Sequence, residues 1–213
     1  MKKVNLIIIF VFILFNKFFL LNLQSQINNT IVVKVGSSLI TSLDVQNEII
    51  TNLILNKIEI TQKNIDNNKN YSIRNLIIKS IKRSEIKKYQ IIDYSKKDLK
   101  NYTENIAKKL NTNVSELKEI FKQNNIDYPT FVKKHKTDLL WNTLIFKLYR
   151  NQTNINIIDV DNEIKKNIKE IKTEDEIKKI KKNILNQKKQ EKLNLFSRSH
   201  LSNLENTIVV DFQ

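Results

Sequence analysis

Apolar positions along this chain follow two periods. Over residues 31–35 they alternate, with Ile31, Val33 and Val35 on one face and Val32 and Lys34 on the other, which predicts a strand. Gly36-Ser37 then reads as a two-residue loop in which glycine supplies the positive φ of a type II′ turn. Leu39-Ile40-Thr41 returns as a second strand with Ile40 opposite Val33. Thr41 followed three positions later by Asp44 is a capping-box-like start, so a helix begins within a residue or two of Thr41. A lone hairpin is marginal in water. The candidate third strand is residues 207–212, TIVVDF, with Ile208, Val210 and Phe212 on one face, and the two ends of the mature chain are therefore expected to meet.

Between these ends the spacing is helical. A first helix is predicted over 42–56, with Leu43, Ile50, Leu53 and Ile54 near one face. Residues 61–70, rich in Asn, Lys and Asp, read as a mobile loop, and a core helix over 72–91 carries Ile73, Leu76, Ile77 and Ile81. Ser95 with Asp98 caps a helix ending near Asn111, and Asn113 with Glu116 opens a short one with Leu117, Ile120 and Phe121 as its stripe. Asn125 is a left-handed stop. The only proline, Pro129, lies in the first turn of what reads as a long helix, 129–151. Its second half, from Leu139 to Tyr149, is apolar nearly all round, which means burial on several sides or a surface offered to a partner; the core reading is favoured. An extended connector at 155–158, a helix over 160–170 capped by Asp159, and a basic helix over 174–204 complete a mostly α fold: a helical core with a small antiparallel sheet made of the N-terminal hairpin and the C-terminal strand.

Composition changes this picture little. One Gly and one Pro in 213 residues disfavour tight β architectures and Gly-rich phosphate loops. The net charge of +15 raises nucleic acid as a partner. The lysines, however, are spread over every predicted helix, as an AT-rich genome would scatter them, so no nucleic-acid partner is expected. Residues 1–26 read as a signal peptide or weak anchor, with Lys2 and Lys3 ahead of an apolar run interrupted only by Asn5. Leu23-Gln24-Ser25 is a poor cleavage site, and residues 4–23 are long enough for a span, although Asn16 and Lys17 sit in its middle. Either way the chain is exported, and contact with a membrane runs only through residues 1–23 if they are retained. The absence of cysteine fits an oxidising compartment and removes thiol chemistry.

Catalytic constellations do not stand out. His135 and His200 each lack a local partner, so structural or surface roles are expected and no metal site. Glu48, Glu85, Glu104, Glu116 and Glu163 lie beside lysines, and pairing within their own helices accounts for them. Serines have no nucleophile-elbow glycines. No catalytic residue and no cofactor is expected, which favours binding over turnover.

The order of short motifs resembles the SurA-type periplasmic chaperones, the SurA N-terminal domain family of parvulin-linked foldases. Val35-Gly36-Ser37-Ser38-Leu39-Ile40-Thr41 followed by Asp44-Val45 is similar to the family's hairpin and helix start. Ile73-Arg74-Asn75-Leu76-Ile77 with Glu85-Ile86-Lys87-Lys88 resembles its second core helix, and Asn113 to Leu117 and Ile126-Asp127-Tyr128 with Phe131 resemble the next two helix starts. Residues 187–196 with 207–211 resemble its closing helix and strand. Gly36-Ser37 replaces the usual Asn-Gly, and Gln90 stands where the family tends to end a helix with glycine. Family members commonly insert parvulin prolyl-isomerase domains before the closing helix. Here only residues 164–186 separate the matching parts, so that domain is expected to be missing.

The resemblance implies export segment 1–26, a chaperone domain over 27–164, and a closing helix and strand over 165–213 that pack on the same core. It implies an ATP-independent periplasmic holdase for unfolded outer-membrane β-barrel polypeptides, assisting outer-membrane protein assembly and meeting the outer-membrane assembly machinery. Phe121, Tyr128, Phe131 and Trp141 are the candidate client contacts, with core packing as the competing expectation for each. An inner-membrane-anchored interaction module and a residual peptidyl-prolyl isomerase stay open as other readings.

Overall fold

The hairpin forms where the alternation places it. The computed structural model describes residues 29–167 and 173–213, and the export segment expected over residues 1–26 lies outside them. β1 (Ile31–Val35) and β2 (Ser38–Thr41) pair antiparallel, with Val33 opposite Ile40 and Val35 opposite Ser38. Gly36 has φ +55°, and Ser37 is not among the residues with positive φ, the sign pattern of a type II′ rather than a type I′ turn. The register shifts between Ile31 and Val33, so one extra residue of β1 bulges there. β3 (Val210–Phe212) adds to the other edge of β1, Phe212 opposite Val33, giving the order β2-β1-β3. The N–H groups of Gly36 and Gln213 donate to the carbonyls of Val209 and Val32, each at 3.0 Å, so pairing extends past both ends of the short strand. β3 is shorter than expected because the preceding helix runs on to Thr207.

α1 (Ser42–Leu55) starts from the Thr41–Asp44 capping box, with Thr41 N–H donating to Asp44 Oδ2 at 2.9 Å. α2 (Gln62–Lys88) begins ten residues before the sequence reading puts it, and of the segment 61–70 all but the capping Thr61 is helix rather than mobile loop. Three local devices account for this. Thr61 accepts from the Asn64 N–H, Gln62 donates to Asp66 one turn on at 2.9 Å, and Ile65 packs on the core. Asn and Lys oppose helix only weakly per residue, so a cap and one apolar anchor suffice. α3 (Lys96–Lys109), α4 (Val114–Gln123) and α5 (Tyr128–Tyr149) follow with Ser95, Asn113 and Asp127 as their caps. α6 (Ile157–Asn167) is opened by Asn156, whose Oδ1 accepts from the Ile158 N–H at 3.0 Å, and not by Asp159, which lies in its first turn. The remainder of the helix expected to reach Glu170 lies outside the described residues. α7 (Glu174–Thr207), with 34 residues against 22 in α5, runs three residues past its expected end at Leu204.

Four helices stop without glycine. Lys57, Gln90, Asn111 and Asn125 take positive φ after α1, α2, α3 and α4. After each, the next N–H reaches back to close a Schellman motif: Ile58 to Leu53 O, Ile91 to Ile86 O, Thr112 to Ala107 O and Ile126 to Phe121 O. Gln90 thus ends α2 in the backbone conformation for which glycine is usual.

Among the described residues, most of the interior falls into three apolar clusters. Val33, Val35 and Ile40 of the sheet lie on Val45, Ile49 and Leu53 of α1 and on Leu76 and Ile81 of α2. Ile50, Ala107, Leu117, Phe121, Ile126 and Phe131 join α1, α3, α4 and α5. Ile86, Ile91, Trp141, Leu144 and Ile145 form the third, and Leu201 and Leu204 of α7 pack on both this cluster and the first. The apolar half of α5 is therefore mostly core, with Phe146 the exposed exception. Among the described residues, no helix is long and apolar enough to cross a membrane.

Candidate functional site

Of the four aromatic candidates, three belong to the interior. Phe121 and Phe131 meet edge to face with ring centroids 4.9 Å apart, and Trp141 is buried in the third cluster with its Nε1–H donating to Ser197 Oγ at 2.8 Å. A client reaches these rings only if the helices part. They face inward because α5 is flanked by α4 and α3 along its first half and by α2 and α7 along its second. Tyr128 is different: half-buried, it lines an open groove with Lys118, Lys122, Ile126 and Pro129, and Lys118 Nζ lies 5.3 Å over its ring.

The acids do more than the local reading gives them. Glu104 pairs within its helix with Lys100 at 3.7 Å, and Glu116 closes the capping box of α4, as helical spacing implies. Glu48, by contrast, receives Lys134 of α5 at 2.7 Å, and Glu163 receives Lys188 of α7 at 2.7 Å. Glu85 has Lys88 on its own helix at 3.5 Å, but its closer partner is His200 Nε2 at 3.2 Å. His200 Nδ1 in turn lies 2.8 Å from the Tyr149 hydroxyl, so one imidazole of α7 bridges α2 and α5. These partners are far away in sequence, out of reach of any helical spacing rule.

Sequence reasoning also missed Asp138. It is held by Lys79, which makes a close ion pair with it, and by Lys82 at 3.1 Å. Burial pushes the Asp138 carboxyl up, but the two ammonium groups outweigh it and hold it below the ordinary carboxylate range. His135, one turn before Asp138 on α5, stacks on Tyr102 of α3 with ring centroids 3.4 Å apart and planes 7° from parallel. Burial lowers its pKa, Lys79 adds to the lowering, and the Asp138 charge opposes it. The only available signal was the spacing of Lys79 and Lys82 on one face of α2.

The outside carries the apolar groups a partner can reach. Ile31, Leu39, Val209 and Phe212 are exposed around the sheet, and Tyr89, Ile92, Phe146 and Leu195 on the helices and their connections; Ile92 is 78% and Val209 75% exposed. They are separated from one another by lysines and other polar residues in the sequence rather than gathered in one run.

No family model and no curated protein matches this chain. Among solved structures, a chain from the structurally related SurA-like chaperones of Campylobacter jejuni, the virulence factor PEB4 and the periplasmic protein Cj1289, is similar at 14% identity and a TM-score of 0.42. The match covers 87% of this chain and 99% of that one. At that level of similarity, a functional reading has to stand on the residues.

Proposed function

We propose that this protein is an ATP-independent periplasmic holdase for unfolded outer-membrane β-barrel polypeptides, delivering them toward the outer-membrane assembly machinery. The observation that carries the reading is the set of large apolar side chains left exposed on both the sheet and the helices of a lysine-rich body. The SurA-type motif order supports it. Each exposed side chain offers an unfolded chain a small apolar contact. Several engaged at once give binding that is appreciable in total and reversible point by point. The surrounding positive charge keeps the loaded complex soluble. Tyr128 at its open groove is the one of the four aromatic candidates placed to touch a client without a rearrangement. In this reading the protein binds its client and does not turn it over, and release follows when the client folds downstream.

The test is light scattering of a urea-unfolded outer-membrane β-barrel protein diluted into buffer with and without this protein, no nucleotide present. Suppressed aggregation near equimolar ratio is the expected result. Unchanged scattering across a salt series would overturn the reading in favour of an anchored interaction module.

A further inference from the structure

In the sheet order β2-β1-β3, β2 is an edge strand. In a hairpin closed by a two-residue loop, the flanking pair exchanges both backbone hydrogen bonds, and here that pair is Val35 and Ser38. The alternation therefore turns the N–H and C=O of the next residue, Leu39, away from β1. Among the described residues neither group has a partner. A cleft of about 260 Å³ opens along this edge, lined by β2 itself, by Leu76 and Arg83 of α2 and by Thr130 and Lys133 of α5. β1 contributes nothing to its wall, so the cleft lies on the unpaired side of β2.

Its charges are unbalanced. Asp44, at the cleft, is engaged by Thr41 in the capping box of α1, and Lys134 is paired with Glu48. Arg83 and Lys133 remain, both exposed and neither in an ion pair among the described residues. An unpaired backbone donor and acceptor, an apolar floor at Leu76, and two free cations on the wall together define one kind of ligand.

We propose that this cleft binds an extended segment of an unfolded polypeptide as an added strand on β2, with an acidic side chain of the segment set against Arg83 and Lys133. The proposal rests on the holdase reading and places one of its contacts. Main-chain bonds to Leu39 make the site tolerant of sequence, and the cations bias it toward acidic segments.

The experiment measures fluorescence anisotropy of short labelled peptides, alternating Val and Thr around a central Glu, Gln or Lys, titrated with the full chain. A further Glu peptide carries N-methyl groups at alternate residues, which removes its strand-pairing donors. The Glu peptide is expected to bind about tenfold tighter than the Lys peptide, and Arg83→Glu with Lys133→Glu is expected to abolish or reverse that order. N-methylation is expected to weaken binding by about tenfold as well. Circular dichroism shows whether the double variant, changed only at exposed positions, keeps its fold; single Arg83→Gln and Lys133→Gln variants serve if it does not. Equal binding of the Glu and Lys peptides, a preference indifferent to Arg83 and Lys133, binding indifferent to N-methylation, or no binding at millimolar protein would each overturn the proposal. Scattering of an unfolded β-barrel protein is measured on the same preparations. Suppression by the wild-type protein with no peptide preference sinks this site alone, whereas no suppression by the wild-type protein sinks the holdase reading.

Discussion

α5 and α7 meet at the third apolar cluster and are built on opposite plans. α5 places Phe131, Trp141, Leu144 and Ile145 in the interior within 22 residues. α7, at 34 residues, has no buried side chain at all. Leu193, Leu201 and Leu204 of α7 pack on the clusters only partly buried, and directed contacts add to them: Ser197 to the Trp141 indole, His200 between Glu85 and Tyr149, and Phe196 stacked on Tyr149 at 4.8 Å with planes 4° apart. Toward its start Lys181 pairs with Asp161 at 2.6 Å, and near its middle Lys192 donates to the Asn154 carbonyl at 2.6 Å. A helix with fully buried side chains resists local opening, while one whose contacts all stay partly exposed opens at lower free energy. α7 is thus the element expected to move first, and moving it would uncover Trp141.

The strongest way to break the contrast is Trp141→Ala. It removes the largest fully buried side chain and orphans Ser197 of α7, with an expected loss of about 3–5 kcal/mol in urea unfolding. A loss under about 1 kcal/mol would mean the third cluster does not support α5. Glu85→Ala leaves His200 without its carboxylate and is expected to cost about 1–3 kcal/mol. Its signature is selective: hydrogen exchange rises along α7 while α5 amides stay protected. Equal acceleration in both helices would contradict separate anchoring.

Gln90→Gly relieves a non-glycine residue of its left-handed backbone at φ +51°, beside Ile91 in the cluster both helices share. Stability is expected to rise by about 0.5–1 kcal/mol, readable as a higher urea midpoint. His135 gives α5 a pH dependence of its own. Its folded pKa is lowered, so the unfolded chain binds a proton first as pH falls through about 6.5, and stability is present above that pH and lost below it. His135→Phe keeps a ring on Tyr102 and is expected to flatten the change in urea midpoint between about pH 7.5 and pH 5.5. An identical slope in both proteins would remove His135 from the account. Lys181→Ala is the smallest perturbation, about 0.5 kcal/mol or less, because that pair is partly exposed.

Local devices were the legible part of this fold. The Gly36-Ser37 turn, the caps at Thr41, Ser95 and Asn113, and the Asn125 stop each depend on a few adjacent residues, and each stands where its motif puts it. The start of α2 was not legible, because a polar run carries no apolar period even when Ile65 anchors it. Lys57 and Gln90 give no stop signal as residue types; after Gln90 the burial of Ile91 in the third cluster makes the left-handed turn worthwhile, whereas Ile58 after Lys57 stays exposed. At the candidate site, a stripe such as Leu117, Ile120 and Phe121 tells which face is apolar but not whether a helix or a client covers it. The cleft at β2 was beyond reach for a different reason: its two cations come from α2 and α5, 50 positions apart.

The most direct test of holding by dispersed surface contacts compares the wild-type protein with Ile92→Ser/Phe146→Ser/Leu195→Ser in suppressing aggregation of an unfolded outer-membrane β-barrel protein. All three positions are exposed, at 78%, 49% and 63%, so the fold should be spared and the urea midpoint unchanged. The triple variant is expected to need about threefold or more protein for half-suppression. Identical half-suppression by two equally stable proteins would contradict the claim that these exposed groups hold the client.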